Sequence, residues 1–293
     1  MALSVDPLWP RAGDWPSPGS AAARCDLALV GIPTHTTSLS ATNAHLTPTA
    51  VREGLRYYSE FTDRPLSLEF LDFGDAVDPD ADEATANALV ARAAAASRLV
   101  IALGGDNSLT VPAALGTWGD RVSSAGLVTL DAHHDLRDGR SNGSPVRRLI
   151  EAGLSGRRVV QVGIADFANS ADYAARAADL GITVVRRGVL LSRPIADVVA
   201  EALEIAASAG GPVHVDLDVD VCDRSVAPAC PASVPGGIAA HELRAAARVA
   251  GAHPAVESID LAEVDASLDS PDGRTIRLVA LCVLEAAAGL AER

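Results

Sequence analysis

Short apolar runs rich in Val, Ile and Leu recur along the chain, separated by longer stretches in which apolar positions return with helical spacing. The short runs cover residues 26–32, 99–103, 126–130, 159–163, 183–185, 213–221 and 256–261, and their near-continuous hydrophobicity predicts strands buried on both faces. The longer stretches, 82–97, 171–180, 195–209, 241–250 and 274 to about 291, predict helices. Strand and helix alternate, so the pattern predicts an α/β fold in three α/β/α layers, a mainly parallel sheet with helices on both faces. In such sheets ligands bind beyond the carboxyl ends of the strands, and three of those ends carry dense acidic or histidine clusters.

At 293 residues, nearly half of them apolar, the chain is long enough for a large core, and 1–293 reads as one catalytic domain with 1–24 an irregular N-terminal segment. The formal net charge of -14 makes nucleic acid and anionic membrane surfaces poor partners, which leaves a small-molecule substrate. Residues 1–19 lack a basic start followed by an apolar run, and no apolar stretch is long enough to span a bilayer. Cys25, Cys222, Cys230 and Cys282 are scattered without CxxC spacing, so neither a zinc site nor a disulfide framework is expected and the setting is cytoplasmic. The chain contains no lysine, which excludes a Walker lysine, a pyridoxal Schiff base and a Ser-Lys dyad.

Chemistry concentrates in two motifs. The strand 126–130 runs into Asp131-Ala132-His133-His134-Asp135, where alternation in an extended segment turns Asp131, His133 and Asp135 to one side and His134 to the other. In His214-Val215-Asp216-Leu217-Asp218-Val219-Asp220, three carboxylates alternate with apolar residues on one predicted strand. Neighbouring buried carboxylates repel and need a cation, and oxygen-rich ligation with an imidazole suits Mn²⁺. Two such ions sharing carboxylates would activate a water and hold an electrophile. Either motif alone also fits a solvated loop or the wet face of an edge strand. Gly104-Gly105-Asp106-Asn107-Ser108 could cradle phosphate at a helix start, but it lacks both GxGxxG spacing and a lysine. His35 and His45, in the loop 34–48, are candidates for a pocket mouth, and His241 and His253 are read as structural.

With these residues in place the sequence resembles the ureohydrolase family of arginases, agmatinases and formimidoylglutamases. Gly104 to Ser108 resembles the family's GGDHS, Asp131 to Asp135 its DAHxD, and Asp218-Val219-Asp220 its DxD, followed in step by Asp223, Ala227-Pro228 and Pro235-Gly236-Gly237. Asp216 then stands where a small residue is usual, and is the rival candidate for the site on this strand. Asp260 to Asp265 is similar to DxxEVxP, with Ala266 where proline is common. The resemblance implies an arginase-like sheet of roughly eight strands. It implies two Mn²⁺ ions, one held by Asn107, Asp131, Asp135 and Asp218, the other by His133, Asp131, Asp218 and Asp220. It further implies Asp135 as the proton carrier to the leaving nitrogen, Glu263 as partner of the substrate's planar cation, and a homo-oligomer, trimer or hexamer. Asn107 replaces a metal-binding histidine with a weaker neutral donor, so the first ion is expected to bind loosely.

Ser141-Asn142-Gly143-Ser144-Pro145-Val146-Arg147 is similar to the SNGTPFR of formimidoylglutamases rather than to the HGxP of arginases and agmatinases. Gly163 to Ser170 resembles their GIREFANS, with Ala165 and Asp166 departing from it. Asn142 and Arg147 are therefore the expected substrate-binding residues, Arg147 as a bidentate partner of a substrate carboxylate. The activity implied is hydrolysis of N-formimidoyl-L-glutamate to L-glutamate and formamide, a step of histidine degradation. The alternatives are an agmatinase- or guanidino-acid-hydrolase-like enzyme, or a metal-poor member that binds without turnover.

Overall fold

The computed structural model describes residues 3–19 and 23–293. Eight strands form one sheet: β1 (Leu27–Ile32), β2 (Phe70–Asp75), β3 (Leu99–Gly104), β4 (Gly126–Leu130), β5 (Val159–Ile164), β6 (Thr183–Arg186), β7 (Val213–Asp218) and β8 (Val256–Ala262). Their order is β2-β1-β3-β8-β7-β4-β5-β6, and every pairing is parallel. Among the described residues seven α-helices connect the strands, α1 (Thr47–Leu55), α2 (Glu83–Ala96), α3 (Thr110–Trp118), α4 (Pro145–Glu151), α5 (Ala171–Asp179), α6 (Ile195–Ala206) and α7 (Ala240–Ala252), and α8 (Arg274–Leu290) follows β8. Before β1 no described residue is in a helix or strand, and no described helix is long and apolar enough to cross a membrane.

The central strands are the apolar runs of the sequence, and all of β1, β3, β4, β5 and β7 is buried. β2 escapes a hydrophobic-run reading because Phe-Leu-Asp-Phe-Gly-Asp sits at the sheet edge, where most of its residues are partly exposed. Helices α1, α3 and α4 are short, start at or within two residues of a proline, and lack a long periodic stripe. The predicted strand 213–221 stops at Asp218, and Val219–Val221 turn as a 3₁₀ helix. That turn is capped from within, since Asp220 N donates to Asp218 Oδ1 at 2.8 Å.

Chain order explains where the site lies. The chain passes from β3 directly to β4, while β8 and β7 later fill the gap between them. Four adjacent strands, β3, β8, β7 and β4, thus open their carboxyl ends onto one crevice. The glycine pair serves packing at its rim. A Cβ on Gly105 would lie 2.0 Å from the Thr34 carbonyl oxygen, and one on Gly104 would lie 2.8 Å from that of Leu261. Gly105 in turn accepts a backbone hydrogen bond from Glu263 at 3.0 Å, tying the end of β8 to that of β3.

Gly105→Ala is expected to lose about 1–3 kcal/mol in urea unfolding, because backbone rather than a flexible side chain blocks the new methyl group. Gly188→Ala, with nothing within 4 Å, should stay within about 0.5 kcal/mol of the parent. Equal losses in the two variants would contradict the packing role of Gly105.

Candidate active site

Each strand end delivers its side chain by a local device. Asp131 follows β4 directly; its backbone N donates to Val162 O, and its Oδ1 accepts from the backbone N of His133 at 2.6 Å, which curls the chain after the strand. The segment then leaves the extended form. Asp135 has φ 53°, a left-handed conformation that L-residues adopt at a cost, so the alternation expected from an extended strand does not continue to it. Glu263, just beyond β8, has φ 62°, and Phe167 at the rim has φ 67°. Three of the five non-glycine residues with positive φ among the described residues therefore line one cavity.

That cavity, of about 400 Å³, is lined by His133, Asp135, Asn142, Asp218, Asp220 and Glu263 together with Arg137, Asn169, Ser170 and Tyr173. Asp131, Asp218 and Asp220 are nearly inaccessible, and Asp135 retains 8 % exposure. His133 Nδ1 lies 2.9 Å from Asp220 Oδ2 and 3.4 Å from Asp131 Oδ1. One ligand atom each of Asp131, His133 and Asp220 lies within 4.8 Å of the others. Among the described residues no arginine pairs with these carboxylates, so His133 is their only cationic partner.

Electrostatics follow from that shortage. Burial, then the charge of Asp220, pushes Asp131 up to about 6. Burial and the neighbouring acids hold Asp135 and Asp218 well above the usual carboxylate range. Burial opposes charge on His133, but Asp220 and Asp131 overcome it and raise the imidazole to about 12. Burial also works against ionised Asp220, yet contact with His133 keeps it below its ordinary value. The Oδ2 of Asp131 is buried without a hydrogen-bond partner. An orphaned carboxylate oxygen inside a crowd of mutually destabilised acids fits a multivalent cation, whose charge would relieve both faults.

Asn107, on the turn after β3, donates from Nδ2 to Asp135 Oδ2 at 2.7 Å and accepts at Oδ1 from the Thr110 hydroxyl at 2.7 Å. A half-turn of the amide would face its oxygen toward Asp135 while the Thr110 hydroxyl accepted instead. The cap of that turn is Asp106, whose carboxylate accepts from Ser108 N, so Asn107 is free of capping duty. Glu263 Oε1 accepts from Asn107 N at 2.8 Å and from Asn142 Nδ2 at 2.6 Å, and burial, with Asp106 nearby, raises its pKa to about 8.

Arg147 is not brought into the cavity. Its guanidinium is taken by the carbonyls of Arg137 and Gly139 and by Glu151 one helical turn away, so it braces the loop against α4. Arg137, which the sequence motifs do not single out, reaches the cavity instead. His134 turns aside as expected and bonds through Nδ1 to Gln161 Oε1 at 2.7 Å, although its edge still touches the cavity wall. Asp216 lies one step below on β7, beside Asp260 of β8, whose Oδ2 is 3.0 Å from His214 Nε2. It is buried but is not part of the cavity wall. His35 lies 3.1 Å from Asp80 and meets His45 at a tilt with ring centres 4.3 Å apart, and neither histidine lines the cavity.

Comparison with known proteins agrees with this geometry. Residues 25–289 match the Arginase family. The chain is 31% identical over 284 residues to formimidoylglutamase of Bacillus subtilis, covering 90% of this chain and 86% of that protein. The crystal structure of the Bacillus subtilis formimidoylglutamase superposes with a TM-score of 0.91 at 26% identity, over 99% of this chain and 94% of that one. A structure of Trypanosoma cruzi formiminoglutamase with Mn²⁺ superposes at 0.85 with 23% identity, over 97% and 99% of the two chains, which speaks for the fold. With its sheet order, its acidic crevice and a sequence match that spans most of its length, the chain belongs to the arginase family.

Proposed function

We propose that this chain is a manganese-dependent, cytoplasmic hydrolase that cleaves N-formimidoyl-L-glutamate to L-glutamate and formamide, assembled as a homo-oligomer. The observation that carries it is Glu263: a buried carboxylate in the left-handed region beside the acidic cluster, one oxygen fixed by Asn107 and Asn142 and the other free for a planar cation. Similarity to formimidoylglutamases over most of the chain narrows the cation to an amidine carried on a glutamate.

The oxygen-rich donor set suits Mn²⁺. Asn107, Asp131, His133, Asp135, Asp218 and Asp220 would hold two such ions. Bound there, the ions supply Lewis acidity and the positive charge that the buried carboxylates lack. Glu263 holds the amidinium, and Asn142 keeps Glu263 from swinging away. Water adds to the formimidoyl carbon and the bond to the glutamate nitrogen breaks. Asp135, buried in the acid cluster, takes a proton from the adding water and passes it to that departing nitrogen, which leaves as the amine of L-glutamate.

With Mn²⁺ supplied, N-formimidoyl-L-glutamate is expected to have the highest kcat/KM in a panel that includes agmatine, L-arginine and guanidino acids. A panel led by agmatine would overturn the assignment. Glu263→Gln keeps the shape but loses the charge on the amidinium, so kcat/KM should fall by roughly 10–100-fold while Mn²⁺ content stays constant. Parent kinetics in that variant would remove Glu263 from substrate binding.

A further inference from the structure

Among the ionisable side chains that line the cavity, all but Tyr173 and one arginine are acids or histidines. Arg137 is the only arginine among the residues that line it. Its position is built rather than incidental. The backbone N of Arg137 donates to Gly143 O at 2.9 Å, clamping the two loop strands together. The side chain then runs across Gly143, where a Cβ would come within 2.7 Å of Arg137 Cδ and 3.1 Å of Nε. Any other residue at 143 would displace the arginine. Its guanidinium carbon lies 5.9 Å from the centre of the Tyr173 ring, which lines the same cavity.

The carboxylates nearby are already taken. Asp138 pairs with Arg176 at 2.8 Å and Glu151 with Arg147 at 2.5 Å. Arg137 itself makes no ion pair and no side-chain hydrogen bond among the described residues, in a chain whose formal charge is -14. A cation left without a partner at the mouth of an acidic cavity is arranged to meet an anion from outside. The cavity is thus bipolar: Glu263 and Asn142 sit beside the carboxylate cluster, and Arg137 with Tyr173 forms a cationic, aromatic-backed rim.

We propose that Arg137, laid over Gly143 and backed by Tyr173, is the specificity-determining cation that binds a carboxylate of the substrate. The proposal rests on the amidine hydrolase function proposed above. Arg137 takes the role that the motif resemblance gives to Arg147, whose guanidinium is consumed by two carbonyls and Glu151. A planar guanidinium offers a carboxylate two parallel donors. It would also repel the free ammonium of a substrate such as agmatine, giving discrimination by exclusion as well as attraction.

The test uses Mn²⁺-loaded full-length protein and three variants, Arg137→Gln, Arg147→Gln and Gly143→Ala. The readouts are the kcat/KM ratio of N-formimidoyl-L-glutamate to a carboxylate-free N-alkylformamidine, and the Kd of the product L-glutamate. Arg137→Gln should lower the ratio by roughly 10–100-fold and weaken L-glutamate by a similar factor. Gly143→Ala should do the same in part, because it displaces the arginine, while Arg147→Gln should keep both values. An unchanged ratio and Kd in Arg137→Gln, or their loss in Arg147→Gln alone, overturns the proposal. A parent protein that binds L-glutamate through Arg137 yet never turns over N-formimidoyl-L-glutamate overturns the hydrolase assignment and leaves the carboxylate site standing.

Discussion

The interaction on which the structure turns is the mutual repulsion of carboxylates gathered where water cannot reach them. Asp131, Asp135, Asp218 and Asp220 are buried at the carboxyl ends of two adjacent strands, with His133 as their only cationic partner among the described residues. Isolated buried charges are costly, and side-by-side charges of one sign more so. A fold that keeps them there accepts instability at that place in the metal-free chain. The backbone strain at Asp135 and Glu263 belongs to the same bargain, since both are held in left-handed conformations by the elements around them.

Those elements supply the rigidity. Central strands buried on both faces cannot shift without opening the core, so the carboxyl ends of β3, β8, β7 and β4 are fixed relative to one another. The glycine pair brings the Thr34 loop, the end of β3 and the end of β8 into contact, and the bond from Glu263 N to Gly105 O runs through that contact. Glu263 is therefore placed by backbone packing, with Asn107 and Asn142 setting its carboxylate. The outer wall is looser in kind: Arg137 depends on one loop hydrogen bond and on the absence of a side chain at Gly143. The acid cluster sits on the rigid part and Arg137 on the loop.

This division also marks what could be seen in the sequence. The central strands were legible because burial on both faces writes itself as an uninterrupted apolar run, and the acid motifs because each lies within a few residues of such a run. β2 was not, since an edge strand exposes residues that break the run. Asp220 was placed on a strand because alternation continues through Val221, whereas the chain turns after Asp218 to bring Asp220 against His133. The two arginines show the limit most clearly. Arg137 and Arg147 are both near the SNG segment, and which one enters the cavity depends on carbonyls at 137 and 139 and on a missing Cβ at 143. Three-dimensional contacts of that kind leave no periodic trace.

The central claim is that the crowded acids exist to hold Mn²⁺. Anomalous diffraction at the manganese edge from crystals grown with Mn²⁺ tests it most directly. The account predicts two peaks per chain, both within reach of Asp131 and Asp218, with the peak nearer Asn107 the weaker at limiting Mn²⁺. No peak among these carboxylates, or manganese bound only elsewhere on the chain, would contradict it.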